Sequence, residues 1–253
     1  MDNMTTKTLE RLFSLEGRTG IVTGASGGIG EGIAKLLANA GAEVYDLSRS
    51  EGSIDNSKIN RISLDITDTV RAKKIIKEIG ESKGIDFLIN NAGITKRTKA
   101  ENVDEKFWRK IHQVNLDAVF YLSQYAYPYL KKSKFKGRIV NISSMAAHLG
   151  FKEVVPYCST KSGVTGITRG LAVEWVDDNI LVNSIAPGWI PSKMSLEVMD
   201  ADRKEKILNR MPLHKFGEAE DIAAMVLYLI SNAGKYITGQ DFAVDGGALS
   251  YGY

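Results

Sequence analysis

The chain has 253 residues, 43% of them apolar and 25% charged, and carries a net charge of +3. That balance excludes a disordered or low-complexity chain, and the positive charge is too small to argue for nucleic acid or an anionic membrane as a partner. No run of eighteen apolar residues occurs, the first residues lack a signal peptide's apolar stretch, and a single cysteine, Cys158, excludes an internal disulfide. One cytoplasmic domain over residues 1–253 is expected, with 1–16 as an N-terminal extension. His112, His148 and His214 are too scattered for metal-ligand spacing, so no metal site is expected.

In chain order, short β-branched runs alternate with longer segments of helical period. RTGIVTG (18–24) predicts the first strand, and Ile29, Ile33, Leu36, Leu37 and Ala40 form the stripe of a helix after it. Strands are predicted at 42–48 and 60–66, a helix at 68–80 and a fourth strand at 85–93. A long helix from Asp104 to Lys132 follows, then a strand at 137–143, a helix holding Tyr157, a strand at 180–187, a helix at 219–231 and a last strand at 236–246. Such alternation implies right-handed crossovers and a seven-stranded parallel sheet with helices on both faces, a Rossmann-like doubly wound α/β architecture.

In such a sheet a ligand sits beyond the carboxyl ends of the strands, so the first turn, TGASGGIGEG, carries information. Gly24, Gly28 and Gly30, with Ser26 and Ile29 between them, suit close approach of backbone N–H groups to a pyrophosphate at a helix N-terminus. The same letters fit a hydrolase elbow, GxSxG, with Ser26 as nucleophile, although an elbow normally follows several strands. A structural glycine turn is the third reading. At the end of the second strand, Ser48 and Arg49 favour the 2′-phosphate of NADP, while Asp46 and the uncharged Gly27 keep NAD as the alternative.

Tyr157 and Lys161 stand one helical turn apart, and so do Tyr127 and Lys131. Spacing does not separate the pairs; their surroundings do. TGASGGIG, LDITD, NNAG at 90–93, Asn115 in HQVNLDAVF, Ser144 in IVNISS, YCSTK at 157–161, IAPG at 185–188 and ITGQDFAVDGG occur in that order. By these motifs, spanning Leu15 to Gly247, the chain resembles the short-chain dehydrogenases/reductases in their single-domain form.

The resemblance implies a catalytic set of Asn115, Ser144, Tyr157 and Lys161, with Tyr157 thirteen residues after Ser144 and Tyr127 as a decoy. It implies that Lys161, together with the positively charged nicotinamide, lowers the pKa of the Tyr157 phenol, and that Lys161 binds the nicotinamide ribose. Ser144 would hydrogen-bond the substrate oxygen, and Asn115 would hold a water linking Lys161 to solvent. Capping by Ser144 and a buried amide at Asn115 are the plain alternatives. Cofactor contacts are implied for Asp65, Ile66, Asn91, Ala92, Gly93, Pro187, Gly188, Ile190 and Ser192, the last where the family often has Thr.

FSLEGR, NNAGITKR and LAVEW together look most like the branch of gluconate 5-dehydrogenases and 2-deoxygluconate 3-dehydrogenases. A sugar acid or sugar is then the expected substrate, met by Arg97, His148 and Trp189 with Ser144 and Tyr157, beside a variable loop at 189–215. Lys96, Lys99 and Lys152 add positive charge there, though a solvated basic loop would look the same. The alternatives are a 3-oxoacyl-carrier-protein reductase, against which Val173 argues where an Arg is common, and a non-catalytic cofactor-binding sensor or scaffold. Surplus apolar residues on the long helix, and Gly163, Gly166 and Gly170 on the next one, suggest a homotetramer.

Overall fold

The computed structural model describes residues 3–52, 54–191 and 201–251. Its strands are β1 (Thr19–Thr23), β2 (Glu43–Ser48), β3 (Ile59–Ser63), β4 (Phe87–Asn90), β5 (Gly137–Ile142), β6 (Ile180–Pro187) and β7 (Asp241–Val244). All pair in parallel, in the order β3-β2-β1-β4-β5-β6-β7. The order reverses between β1 and β4, and there the outgoing connections part to opposite faces and leave a crevice.

The helices are α1 (Asn3–Phe13), α2 (Gly28–Asn39), α3 (Thr69–Ser82), α4 (Glu105–His112), α5 (Ala118–Leu130), α6 (Val155–Glu174), α7 (Ala201–Arg210) and α8 (Ala219–Ile230). One face of the sheet is sealed by Ile75, Ile76 and Ile79 of α3, Leu122 and Ala126 of α5 and Leu171 of α6. The other is sealed by Ile33 and Leu37 of α2 and Ile222 and Val226 of α8. Central strands are therefore buried on both sides, which is why β1, β4, β5 and β6 consist of buried residues throughout. The extension at 1–16 holds α1, which docks through Phe13 on Tyr228 and through Asn232, whose amide donates to the Arg11 carbonyl at 2.9 Å.

Three strands are clearly shorter than the sequence pattern predicts, with β4 ending at Asn90. β3 stops at Ser63 because the Asp65 carboxylate accepts the Thr67 N–H and hydroxyl and turns the chain. β7 spans only Asp241–Val244, since Gly239 bends with φ of 75° and Thr238 offers its hydroxyl, not its backbone, to Val182 N–H. The long helix runs unbroken from Glu105 to Leu130, with an Asp104 cap on Phe107 N–H at 2.7 Å and a π-turn at Gln113–Asp117 that carries Asn115. Of the three glycines on α6, Gly163 faces Leu116 of this same chain, whereas Gly166 and Gly170 meet open space.

Gly20 lies at the centre of the sheet opposite Phe87, and a Cβ there would collide with the Phe87 ring. Phe87 is 1% exposed, so the ring has nowhere to retreat. Gly20→Ala should destabilise the chain by about 1 to 3 kcal/mol, and Phe87→Leu in the same chain should recover part of that loss. Chemical denaturation midpoints of the two variants and the parent check both expectations.

Candidate active site

Beyond the carboxyl ends of the strands lies one groove of about 610 Å³, a volume within the range of ligand-holding clefts. The glycine turn forms one wall. Gly24 and Gly28 take φ of 70° and 58°, and a Cβ on Gly30 would collide with the Gly24 carbonyl. The turn therefore lies close against the start of α2, with Ser26, Ile29 and Gly30 on the groove. This is the cradle a pyrophosphate requires, with backbone N–H groups and the helix dipole directed at an anion. The elbow reading of Ser26 loses its footing, because this turn ends the first strand and the candidate catalytic side chains stand on β5 and α6.

Asn91 holds the turn to β4. Its amide donates to the carbonyls of Thr23 and Gly24, at 2.9 and 3.1 Å, while Thr23 Oγ1 accepts the N–H groups of Asn91 and Ala92. Asn91, Ala92 and Gly93 thus line the groove, with the Asn91 amide spent on the turn. Ser48, Arg49, Asp65 and Ile66 line the end beyond β2 and β3. Burial alone would raise the Asp65 carboxyl, but hydrogen bonds from Thr67 and the charges of Lys110 and Arg49 hold it below the usual carboxylate range. Pro187, Gly188 and Ile190 close the far side after β6, and Ser192 lies outside the described residues.

At the other end stand Ser144, Tyr157 and Lys161. Ser144 follows β5 and caps a short helical turn, accepting the Ala146 N–H at 3.1 Å, and its side chain also bonds with Tyr157. Tyr157 and Lys161 sit on the first turns of α6, with Lys161 Nζ 5.6 Å from the Tyr157 ring centre and donating to the Ile142 carbonyl at 2.6 Å. Burial raises the Tyr157 phenol above its ordinary value, against the opposing bond with Ser144. Burial likewise pushes the Lys161 ammonium down to about 8, against the opposing charge of Asp241. In the protein alone, desolvation thus outweighs the attraction that the sequence suggested between ammonium and phenolate.

Asn115 does not line the groove. It is fully buried, and its side chain brackets Ile94, accepting the backbone N–H at 2.8 Å and donating to the carbonyl at 2.9 Å. Asn115 and Lys161 nevertheless meet at Gly93, where a Cβ would lie 3.4 Å from Asn115 Oδ1 and 3.8 Å from Lys161 Nζ. Tyr127 and Lys131 stand apart from the groove, and both bind Asp178, Lys131 at 2.7 Å, with the Trp175 ring tilted against Tyr127.

Arg97 and Trp189 reach the groove, whereas His148 does not: its Nε2 lies 2.6 Å from Asp241 Oδ2. That corrects the expectation of a substrate-facing His148; a carboxylate on β7 holds the ring. Arg97 is itself held by Glu153, with Nε at 2.8 Å, and the Thr98 N–H donates to the Glu153 carbonyl. Several lining residues escaped the sequence reading, Phe151, Met145 and Thr95 among them. Phe151 sets its ring edge-on to Trp189, Met145 follows Ser144, and Thr95 brings a buried hydroxyl without a hydrogen-bond partner to the groove. Of these three, only Thr95 had a legible cue, four residues past the NNAG motif's second Asn. Among the described residues no group of three His, Cys, Asp or Glu side chains could hold a metal, and no helix is long and apolar enough to cross a membrane.

Between about pH 8 and 10.5 the unfolded chain holds more protons at residue 161 than the folded chain does, so stability rises with pH across that window. The rise is on the order of 3 kcal/mol, and Lys161→Met should flatten it. Unfolding free energies of variant and parent at pH 7.5 and pH 10, in the absence of cofactor, check the slope.

Comparison with known proteins points the same way as the geometry. A family model described as enoyl-(acyl carrier protein) reductase matches residues 24–248. A 2-dehydro-3-deoxy-D-gluconate 5-dehydrogenase of Bacillus subtilis is 38% identical over 96% of this chain and 98% of its own length. A 3-oxoacyl-(acyl-carrier-protein) reductase of Thermotoga maritima is 35% identical over 93% of this chain and 99% of its own. Among solved structures, a gluconate 5-dehydrogenase from Burkholderia cenocepacia in complex with NADP and tartrate aligns with a TM-score of 0.89. It is 29% identical and covers 96% of this chain and 99% of that one.

Proposed function

The chain belongs to the short-chain dehydrogenase/reductase family, and we propose that it interconverts the secondary alcohol and the ketone of a sugar acid with NADP. The observation that carries this reading is one groove with an anion cradle at one end and Ser144, Tyr157 and Lys161 at the other. NADP, when bound, supplies or accepts the hydride. Gly24, Gly28 and Gly30 hold the pyrophosphate, Arg49 the 2′-phosphate, and Pro187, Gly188 and Ile190 the nicotinamide end.

For ketone reduction, the Tyr157 phenol, kept protonated by burial, donates its proton to the carbonyl oxygen while Ser144 hydrogen-bonds the same oxygen. For alcohol oxidation the phenol must first ionise, and the adjacent Lys161 ammonium is the group that stabilises the phenolate. Lys161 also orients the nicotinamide ribose. Asn115 keeps the strand-four loop in place through Ile94, and the gap at Gly93 between Asn115 and Lys161 suits a water that returns protons to Lys161.

Arg97 at the groove supports an acidic substrate, whose carboxylate would exchange with Glu153 for the guanidinium. The tartrate of the Burkholderia relative, a hydroxylated carboxylate, supports the same class. We extend the proposal to a homotetramer in the cytoplasm. Trp108, Phe120 and Tyr121 remain about two-fifths exposed along the long helix, and Gly166 and Gly170 leave α6 open to close approach.

Tyr157→Phe should lower turnover by at least about 100-fold and leave the NADP dissociation constant within about two-fold, because only the proton donor is lost. Tyr127→Phe should be neutral; equal losses in the two variants would reverse the choice of pair.

Arg97→Ala should raise KM for a sugar acid about ten-fold or more, while KM for the matching neutral sugar stays within about two-fold. Steady-state assays at the nicotinamide absorbance measure both. Turnover of acyl thioesters alone would replace the sugar-acid reading by the acyl-carrier-protein one.

A further inference from the structure

Asp46 on β2 and Arg61 on β3 are register partners at the edge of the sheet. Asp46 is only 1% exposed. Its Oδ1 accepts the Ala25 N–H at 3.1 Å and the Ser48 hydroxyl. Its Oδ2 is buried without a hydrogen bond, and among the described residues the cation within ion-pair reach is Arg61, with Nε at 3.4 Å. The far end of Arg61 donates to the Gly52 carbonyl. Gly52 in turn is pressed against the glycine turn, since a Cβ on it would lie 2.7 Å from Arg61 Nη2 and 2.9 Å from Ser26 Cα.

Arg61 is absent from the groove lining, yet its contacts reach three parts of the groove's end: Ser48 through Asp46, Ser26 through Gly52, and the segment of Arg49, Ser50 and Glu51 that Gly52 terminates. A carboxylate at this place, left without a cation, repels a phosphate dianion and suits a ribose hydroxyl, the chemistry that selects NAD. Arg61 cancels that charge and fastens the segment bearing Arg49. We propose that Arg61 is a positioning residue for the 2′-phosphate, acting through Asp46 and Gly52 to make the groove prefer NADP. The proposal rests on the NADP reading above.

The test is calorimetric titration of the cofactor-free protein with 2′,5′-ADP and with 5′-ADP, which differ by the 2′-phosphate alone. The parent should prefer 2′,5′-ADP. Arg61→Gln, which keeps a donor for Gly52 and removes the charge, should lower that preference about ten-fold. Asp46→Asn, which leaves the Arg61 charge unopposed, should raise it about three-fold or more, and the double variant should return to within about three-fold of the parent. Opposite signs for the two single variants are what a merely structural pair would not produce. If the parent shows no preference, the NADP reading falls and takes the proposal with it. If the parent prefers 2′,5′-ADP and Arg61→Gln keeps that preference, or weakens both ligands equally, the proposal alone is overturned. Should Arg61→Gln fail to fold, Asp46→Asn decides: a stronger preference supports the proposal, and an unchanged or weaker one overturns it.

Discussion

The groove exists because Asn91 ties the end of β4 to the end of β1. At that point the sheet reverses its order and the helices leave for opposite faces. Thr23 and Asn91 hydrogen-bond to each other's strand end and so hold the two walls of the crevice together. The glycine turn, the start of α2 and the loop after β4 are all placed by this exchange. A neighbouring network extends it inward, from Asn90 to Ser123 and Asn141 and on to Thr168, linking β4, α5, β5 and α6 through buried hydrogen bonds.

Desolvation sets the chemistry at the other end. Lys161 is buried and Tyr157 half-buried in the groove wall, and desolvation drives their proton affinities in opposite directions, each toward its neutral form. The phenol therefore stands as an acid, and the ammonium sits near the pH at which its charge can respond to a partner. A cation brought beside the phenol would favour its phenolate and so turn the acid into a base. The π-turn at Asn115 serves the same region, because it places the amide where both its donor and its acceptor meet the Ile94 backbone.

The alternation of strand and helix, the glycine turn and the separation of Tyr157 from Tyr127 were all legible in the chain. Each depends on neighbours a few residues away or on motif order. His148 and Arg97 show where that legibility stops. Both looked like cations free to meet a substrate, but Asp241 holds the first across 93 residues and Glu153 the second across 56. Glu153 occupies a turn with φ of 66°, which no side-chain pattern announces. Likewise Asp46 looked like a rival to NADP, when its meaning depends on the cation paired with it from the next strand.

The sequence by itself determined the element types and the parallel doubly wound sheet, because hydrophobic period and turn chemistry are local properties of the chain. Only the tertiary structure decided which charges face the groove and which are already paired. The free energy of a charge depends on what burial and distant partners surround it, and those are brought together by crossovers between strands remote in sequence.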